Sequence, residues 1–408
     1  MAREFDIPNF YRSSGITQIK SARNVSDPRK KDFSPTTIDL GIVRFKIARH
    51  FGFCFGVQNA IEIAYKALEE NPGKRIFLLS EMIHNPHVNE DLRTRGIQFL
   101  RTTEGEELIS FDELNPDDVV IMPAFGTTVE IFQKLSELGI NPYSYNTTCP
   151  FVEKVWKRSN QLGAKGYSIV VHGKYKHEET RATFSHAYQK APTVVIRDME
   201  EALVLKDYIQ KKRPAKQFYT DFKDLHSPGF DAEKDLNRIG VVNQTTMLAT
   251  ETQEISQMLR EAMKDFYGEE VLNNHFADTR DTLCYATSEN QQSVYAMIES
   301  GGDVALIVGG YNSSNTSHLV ELCAQSMPAF HIKDAAEILS SEEIRHLDYK
   351  RSEVVTSKNW LPVDKKPLDI LITAGASCPD ALVDLVLKKV AALFNLEEKI
   401  AESYSFAA

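Results

Sequence analysis

From about residue 41 onward, short runs rich in Val, Ile, Leu and Phe alternate with longer stretches in which apolar residues return every third or fourth position. The short runs fall at residues 43–48, 75–79, 119–124, 167–172, 193–197, 238–243, 304–309, 329–332 and 368–373. Brief, mostly continuous apolar runs suit strands buried on both faces, as in parallel sheets. The longer periodic stretches, at 57–69, 129–138, 151–162, 248–264, 291–299, 318–325 and 380–393, suit amphipathic helices. Strand and helix in alternation predict an α/β fold built on mainly parallel sheets.

Two regions break this rhythm. Residues 1–40 are polar and mixed in charge, with Pro8, Pro28 and Pro35, and read as an irregular arm. Residues 206–235, which include Lys211-Lys212-Arg213-Pro214, read as an insertion with room for a helix.

Composition narrows the class. A length of 408 residues points to two or three domains, and 42% apolar residues are enough to bury real cores. The longest apolar runs, 167–171 and 304–308, fall far short of the roughly 18 residues a membrane span needs. A net charge of −10, spread along the chain, repels phosphate backbones and argues against nucleic acid as a partner. It still allows a small anionic substrate, which needs only a local positive field. The five cysteines are odd in number and widely spaced, with no secretory signal before them, so a reducing cytoplasm is expected. The first 40 residues also contain Asp6, Asp27 and Asp32, unlike an acid-poor transit peptide.

Several predicted strands run directly into small or hydroxyl residues and then a helix start. These are Phe125-Gly126-Thr127-Thr128, Thr147-Thr148-Cys149-Pro150, Gln244-Thr245-Thr246, Asn312-Ser313-Ser314-Asn315 and Gly375-Ala376-Ser377-Cys378-Pro379. Taken singly, each reads as ordinary helix capping. Five together favour an anion site, because ligands gather at the carboxyl ends of parallel strands and helix N-termini attract phosphate.

Among the cysteines, Cys323 lies on the apolar stripe of a predicted helix and reads as core. Cys378 lies in a helix-start loop and stays open between structure and site. Cys54, flanked by Gly52 and Gly56, Cys149, before Pro150, and Cys284 each stand at a loop-to-helix junction, one in each third of the chain. A thiolate is favoured there, so all three are candidate metal ligands. Their separation excludes compact zinc or ferredoxin spacing but suits a cluster held at three corners. His84 and His87, and likewise His172 and His177, sit in polar segments after strands. The zinc-protease pattern is absent because position 181 is Arg. A histidine beside Glu178 and Glu179 can donate to a phosphate oxygen while the acid relays a proton.

The segments HFGFCFGV, EMIHN, TTCPFVEKV, HEETRAT, NQTTM, DTLCYAT, NSSN and TAGASCPD occur in the order of the IspH/LytB family, across roughly residues 44–390. The chain resembles the longer plant- and cyanobacteria-type branch of that family. The resemblance implies three α/β domains with small, mainly parallel sheets in a pseudo-threefold arrangement around a central [4Fe–4S] cluster. The expected division is an arm at 1–40, domains at 41–148, 149–281 and 282–398, and a tail at 399–408. By the same resemblance, Cys54, Cys149 and Cys284 are the cluster ligands. His84, His177, Ser313, Ser314, Asn315 and Ser377 correspond to the diphosphate contacts. Glu179 matches the proton-delivering acid, and Thr245 the threonine of the proton relay. One position departs from the shorter bacterial branch: Phe125 stands where a diphosphate-contacting histidine is expected. Thr127, Thr128 or backbone N–H groups are expected to take over that contact.

The implied reaction is reductive dehydroxylation of 4-hydroxy-3-methylbut-2-enyl diphosphate to isopentenyl and dimethylallyl diphosphate, the last step of the methylerythritol phosphate pathway. With no dinucleotide or flavin motif in the chain, electrons are expected from a separate ferredoxin or flavodoxin. The competing readings are a redox-neutral iron–sulfur hydro-lyase, a non-enzymatic iron–sulfur sensor and a zinc hydrolase.

Overall fold

The computed structural model describes residues 5–277, 282–362 and 364–404. The chain sorts into two units. One comprises the chain up to Glu62, Ile83–Glu90 and the chain from Tyr285 onward; the other comprises Ile63–Met82 and Asp91–Cys284.

The first unit is built on a seven-stranded sheet, in the order Thr36–Asp39, Val43–Ile47, Leu368–Ala374, Val304–Val308, Ala329–Ile332, Glu343–Asp348 and Glu353–Lys358. Its four inner strands run parallel, and antiparallel neighbours complete both sides. Every residue of Val304–Val308 is buried, as its unbroken apolar run requires. The outer hairpin, Glu343–Asp348 with Glu353–Lys358, is polar and partly exposed.

The segment expected to be an irregular arm is ordered here. Ser13 caps a helix, Ser14–Ser26, by accepting the Ile16 N–H on its hydroxyl at 3.2 Å. Ile16 and Ile19 are buried. A side chain on Gly15 would stand 2.3 Å from the ring of Tyr404, so glycine permits that contact. Tyr404, from the expected tail, is itself buried and donates to Asp384. The tail carries a further helix, Glu397–Ser403. Thr36–Asp39 then pairs along Val43–Ile47 with alternating burial. The strand expected to open the first domain, Val43–Ile47, hydrogen-bonds to Leu368–Ala374 and so joins the sheet of the carboxyl-terminal third.

The second unit contains two sheets of four strands, each parallel throughout. One runs Gln98–Phe99, Ile76–Leu78, Val119–Met122, Tyr145–Asn146. The other runs Phe276–Ala277, Ile239–Asn243, Ser168–His172, Thr193–Ile196. With the large sheet of the first unit, the described residues hold three sheets flanked by helices, α/β as expected. The expected insertion at 206–235 is not a polar excursion. Its helix Ala215–Asp221 brings in Phe218, which is fully buried with Phe222 and Phe230 in the core of the second sheet. Phe218 stacks on Phe230 at 5.1 Å and meets Tyr208 edge-on at 5.3 Å. Burying one such ring contributes about 1.5–3 kcal/mol, which offsets the cost of ordering a polar connection. The expected boundary residue Asp281 lies outside the described residues.

Candidate active site

In the first unit, Val43–Ile47, Leu368–Ala374 and Val304–Val308 lie side by side and parallel. Their carboxyl ends therefore open at one edge, where α/β proteins place ligands. The segments that follow carry Cys54, Ser377 and Ser313–Asn315.

Hydrogen bonds stitch these segments together. The Cys54 N–H donates to the carbonyl of Ala376 at 3.1 Å. The Ala376 N–H donates to Asn315 Oδ1 at 2.9 Å. The Ser377 hydroxyl donates to the His84 carbonyl at 3.2 Å. A side chain on Gly310 would stand 2.4 Å from that same carbonyl, so only glycine lets the strand-end loop pass so close to His84. Ser313 caps the helix Ser314–Ala324 through its hydroxyl, which accepts from the Thr316 N–H at 3.3 Å and the Thr316 hydroxyl at 2.9 Å.

Two polar atoms of this cradle are buried without a partner among the described residues: the Ser314 hydroxyl and the Asn315 amide nitrogen. A buried polar group left unmet costs about 1–3 kcal/mol. An oxyanion seated in the cradle would accept from both.

In the second unit, His177 is the N-cap of the helix Glu178–Tyr188, and its Nδ1 accepts the Glu179 N–H at 3.2 Å. That bond puts the proton of a neutral imidazole on Nε2. Glu179 is only 1% exposed. One of its oxygens accepts the Thr245 N–H, and the other accepts the Thr245 hydroxyl at 3.0 Å. The Thr245 carbonyl in turn accepts the Cys284 N–H at 3.3 Å.

Gln244, which precedes Thr245 in the NQTTM segment, is the brace of this arrangement. Its Oε1 accepts from the Lys174 N–H at 3.1 Å and the Thr180 hydroxyl at 2.9 Å. It thereby locks the loop before His177 and the first turn after Glu179 onto the end of Ile239–Asn243. Phe125 meets the His177 ring edge-to-face, with centroids 5.5 Å apart at 82°. It supports that imidazole by packing. Thr127 and Thr128 line a cavity with Arg101, Glu178 and Arg181, and neither His177 nor Glu179 lines it.

The five cysteines are free thiols. Burial pushes the Cys54 thiol up, against a smaller opposing pull from the backbone N–H groups of Val57 and Gly56. Gly52, at φ +79°, makes room for the Lys20–Asp380 ion pair beside the Cys54 loop. Cys149 is the N-cap of Pro150–Gly163 without a side-chain capping bond, and its N–H donates to the Ala124 carbonyl at 2.9 Å. Cys323 and Cys378 are fully buried, and burial pushes both thiols up, Cys323 to about 12. Within each unit, the described residues form no group of three His, Cys, Asp or Glu able to hold a metal ion by itself.

Known proteins resemble this chain over most of its length. The profile of the LytB protein family matches residues 45–391. A 4-hydroxy-3-methylbut-2-enyl diphosphate reductase from Thermosynechococcus vestitus is 40% identical, over 86% of this chain and 85% of its own. One of the same name from Prochlorococcus marinus subsp. pastoris is 37% identical over 96% of this chain and 95% of its own. A solved structure of (E)-4-hydroxy-3-methyl-but-2-enyl diphosphate reductase, described as the terminal enzyme of the non-mevalonate pathway, superposes with a TM-score of 0.50 at 25% identity. It covers 85% of this chain and 98% of its own. The Plasmodium falciparum E-1-hydroxy-2-methyl-but-2-enyl-4-diphosphate reductase shares the fold, with a TM-score of 0.60 at 21% identity over 86% of this chain and 88% of its own. With its ordered motifs, its α/β sheets and this match across nearly the whole sequence, the chain belongs to the LytB protein family.

Proposed function

We propose that this chain is an iron–sulfur oxidoreductase that converts 4-hydroxy-3-methylbut-2-enyl diphosphate to isopentenyl and dimethylallyl diphosphate. The observation that carries this reading is the strand-end cradle of Ser313, Ser314, Asn315 and Ser377, with two buried polar groups unmet by protein. Such a cradle suits a diphosphate. His84, whose carbonyl is tied to Ser377, and His177, whose Nδ1 is engaged by the Glu179 N–H, complete the set of phosphate partners.

The donor set fits a resident iron–sulfur group. Cys54, Cys149 and Cys284 each stand immediately before a helix, and three thiolates are the soft ligands such a group takes. They are the proposed ligands of a [4Fe–4S] cluster, which when bound supplies electrons and a Lewis-acidic iron.

The remaining work falls to the chain's own side chains. The cradle fixes the diphosphate and so aims the allylic alcohol. Glu179, oriented by Thr245, gives a proton to the departing hydroxyl. The C–O bond breaks, two electrons and two protons enter, and water leaves. A C–H bond forms at one end or the other of the allyl unit, which accounts for two products.

The electrons come from a separate carrier, a ferredoxin or flavodoxin. No described helix is long and apolar enough to cross a membrane. Free thiols throughout accord with the cytoplasm as the working compartment. The test is an anaerobic assay with and without dithionite, alongside iron, sulfide and zinc analysis. Product formed only with reductant, by a brown iron- and sulfide-containing protein, supports the reading. Turnover without reductant would move the chain to the hydro-lyases, and a colourless zinc protein would end the proposal.

A further inference from the structure

The second unit contains a cavity of about 210 Å³ whose polar lining comes from Ser80, Arg101, Thr127, Thr128, Glu178 and Arg181. It opens where Ile76–Leu78 and Val119–Met122, two parallel neighbours, reach their carboxyl ends. The helix Val129–Glu137 starts there, with Thr128 as its N-cap.

Its two arginines are arranged unusually for a structural role. A side chain on Gly105 would stand 2.6 Å from Arg181 Nη1 and 2.8 Å from Arg101 Nη2, so both guanidinium groups converge on one spot. Arg181 donates to the carbonyls of Glu104 and Thr103 at 2.6 and 2.7 Å, and Arg101 to the carbonyl of Gly105 at 2.9 and 3.1 Å. Neither forms an ion pair with a carboxylate among the described residues. Each keeps further N–H donors in a rigid fork, the geometry that matches phosphate. Two cations held together by neutral carbonyls repel each other, and burial, with a smaller push from Arg101, holds the Arg181 guanidinium below its ordinary range. Glu178 sets one negative charge against those two positive ones.

An independent sign comes from Ser80. Its side chain is 2% exposed, and its hydroxyl has no partner among the described residues. It lines the same cavity. Apolar contacts from Leu79 and Ile131 fill the rest of the wall.

We propose that this cavity of the second unit is a second anion site that takes the phosphate or diphosphate group of a small metabolite. Arg101 and Arg181 clamp the oxyanion, Ser80, Thr127 and Thr128 donate hydroxyls, and the first turn of Val129–Glu137 adds its positive end.

The test is anaerobic calorimetry of the holoprotein with inorganic pyrophosphate, inorganic phosphate and, as a carboxylate control, citrate. Two pyrophosphate sites are expected in the wild type, and one should survive in the Ser313→Ala/Asn315→Ala double variant. Adding Arg101→Gln should weaken that surviving site at least tenfold. Thr127→Val and Ser80→Ala should weaken it less, and they serve as the readout if Arg101→Gln melts early. One wild-type site that is abolished by the double variant would overturn the proposal. So would a surviving site indifferent to Arg101, Thr127 and Ser80, or one that takes citrate and not phosphate. If Arg101→Gln removes a site while the double variant removes none, this proposal stands and the cradle reading fails instead.

Discussion

Thr245 holds both oxygens of the Glu179 carboxylate, one through its backbone N–H and the other through its hydroxyl at 3.0 Å. A carboxyl group buried this deeply has its direction set by its donors, so the threonine fixes the orientation of the Glu179 carboxyl. Replacing Thr245 with Val keeps the shape and backbone bond but removes the hydroxyl. The expected result is a fall in kcat of about tenfold or more with little change in KM. Thr245→Ser should restore most of the loss, and steady-state kinetics of the three proteins would measure it.

Glu179→Gln probes the proton itself. Glutamine can keep the place of the carboxylate but cannot deliver a proton. Turnover should drop by about 10²–10⁴-fold, while the iron–sulfur absorbance and substrate affinity persist. Full activity in this variant would move the acid to another residue.

The Ser314 hydroxyl is buried and unmet, so two effects of Ser314→Ala should run in opposite directions. Substrate binding should weaken by about 1–2 kcal/mol, close to a tenfold rise in KM. Stability of the substrate-free protein should hold or rise, because an unsatisfied polar group has been removed. Kinetics and a thermal melt together check the pair.

Cys149 caps Pro150–Gly163 with its backbone alone, which leaves the sulfur uncommitted to the cap. Cys149→Ser should therefore fold, with an unchanged far-ultraviolet spectrum, yet lose iron and colour after anaerobic reconstitution. A fully loaded, brown Cys149→Ser protein would remove it from the ligand set.

His331 gives the fold a pH dependence. Burial, with a smaller push from His346, lowers its pKa to about 4 from an ordinary value of 6.5. Its Nε2 hydrogen-bonds the Gly309 carbonyl, and Nδ1 is buried without a partner. Above 6.5 both folded and unfolded chains carry it neutral, and it costs nothing. As pH falls below 6.5 the unfolded chain gains a proton that the folded one refuses, and stability declines until about 4. The full loss is about 3 kcal/mol. Melting temperatures measured from pH 7 to 4 should fall, and His331→Gln should flatten the slope.

Much of this was legible from pattern alone. The strand Ala329–Ile332 and the helix expected at 129–138 stand within a residue of their predicted places, since each carries its apolar signal in its own residues. The helix Ser14–Ser26 was missed because only Ile16 and Ile19 are apolar and buried on one face. Its support comes from Tyr404, almost the whole chain away. The hairpin of Glu343–Asp348 and Glu353–Lys358 was missed for a related reason, being polar on its exposed side. At the candidate site, the hydroxyls and amides of Ser313, Ser314, Asn315 and Ser377 are readable from pattern because each follows its strand directly along the chain. The brace made by Gln244 and the meeting of Arg101 with Arg181 could not be foreseen, because each joins segments far apart along the chain whose nearness only tertiary packing creates.

The pairing of Thr36–Asp39 along Val43–Ile47 also has a practical meaning. A strand at the border of a sheet offers its vacant backbone donors and acceptors to any passing chain. Residues 36–39 supply that missing neighbour from within, short and half polar, with Asp39 facing outward. Trimming the protein back to residues 45–391, the stretch the family profile matches, would strip this selvedge away, and the leaner version should be one that sticks to itself.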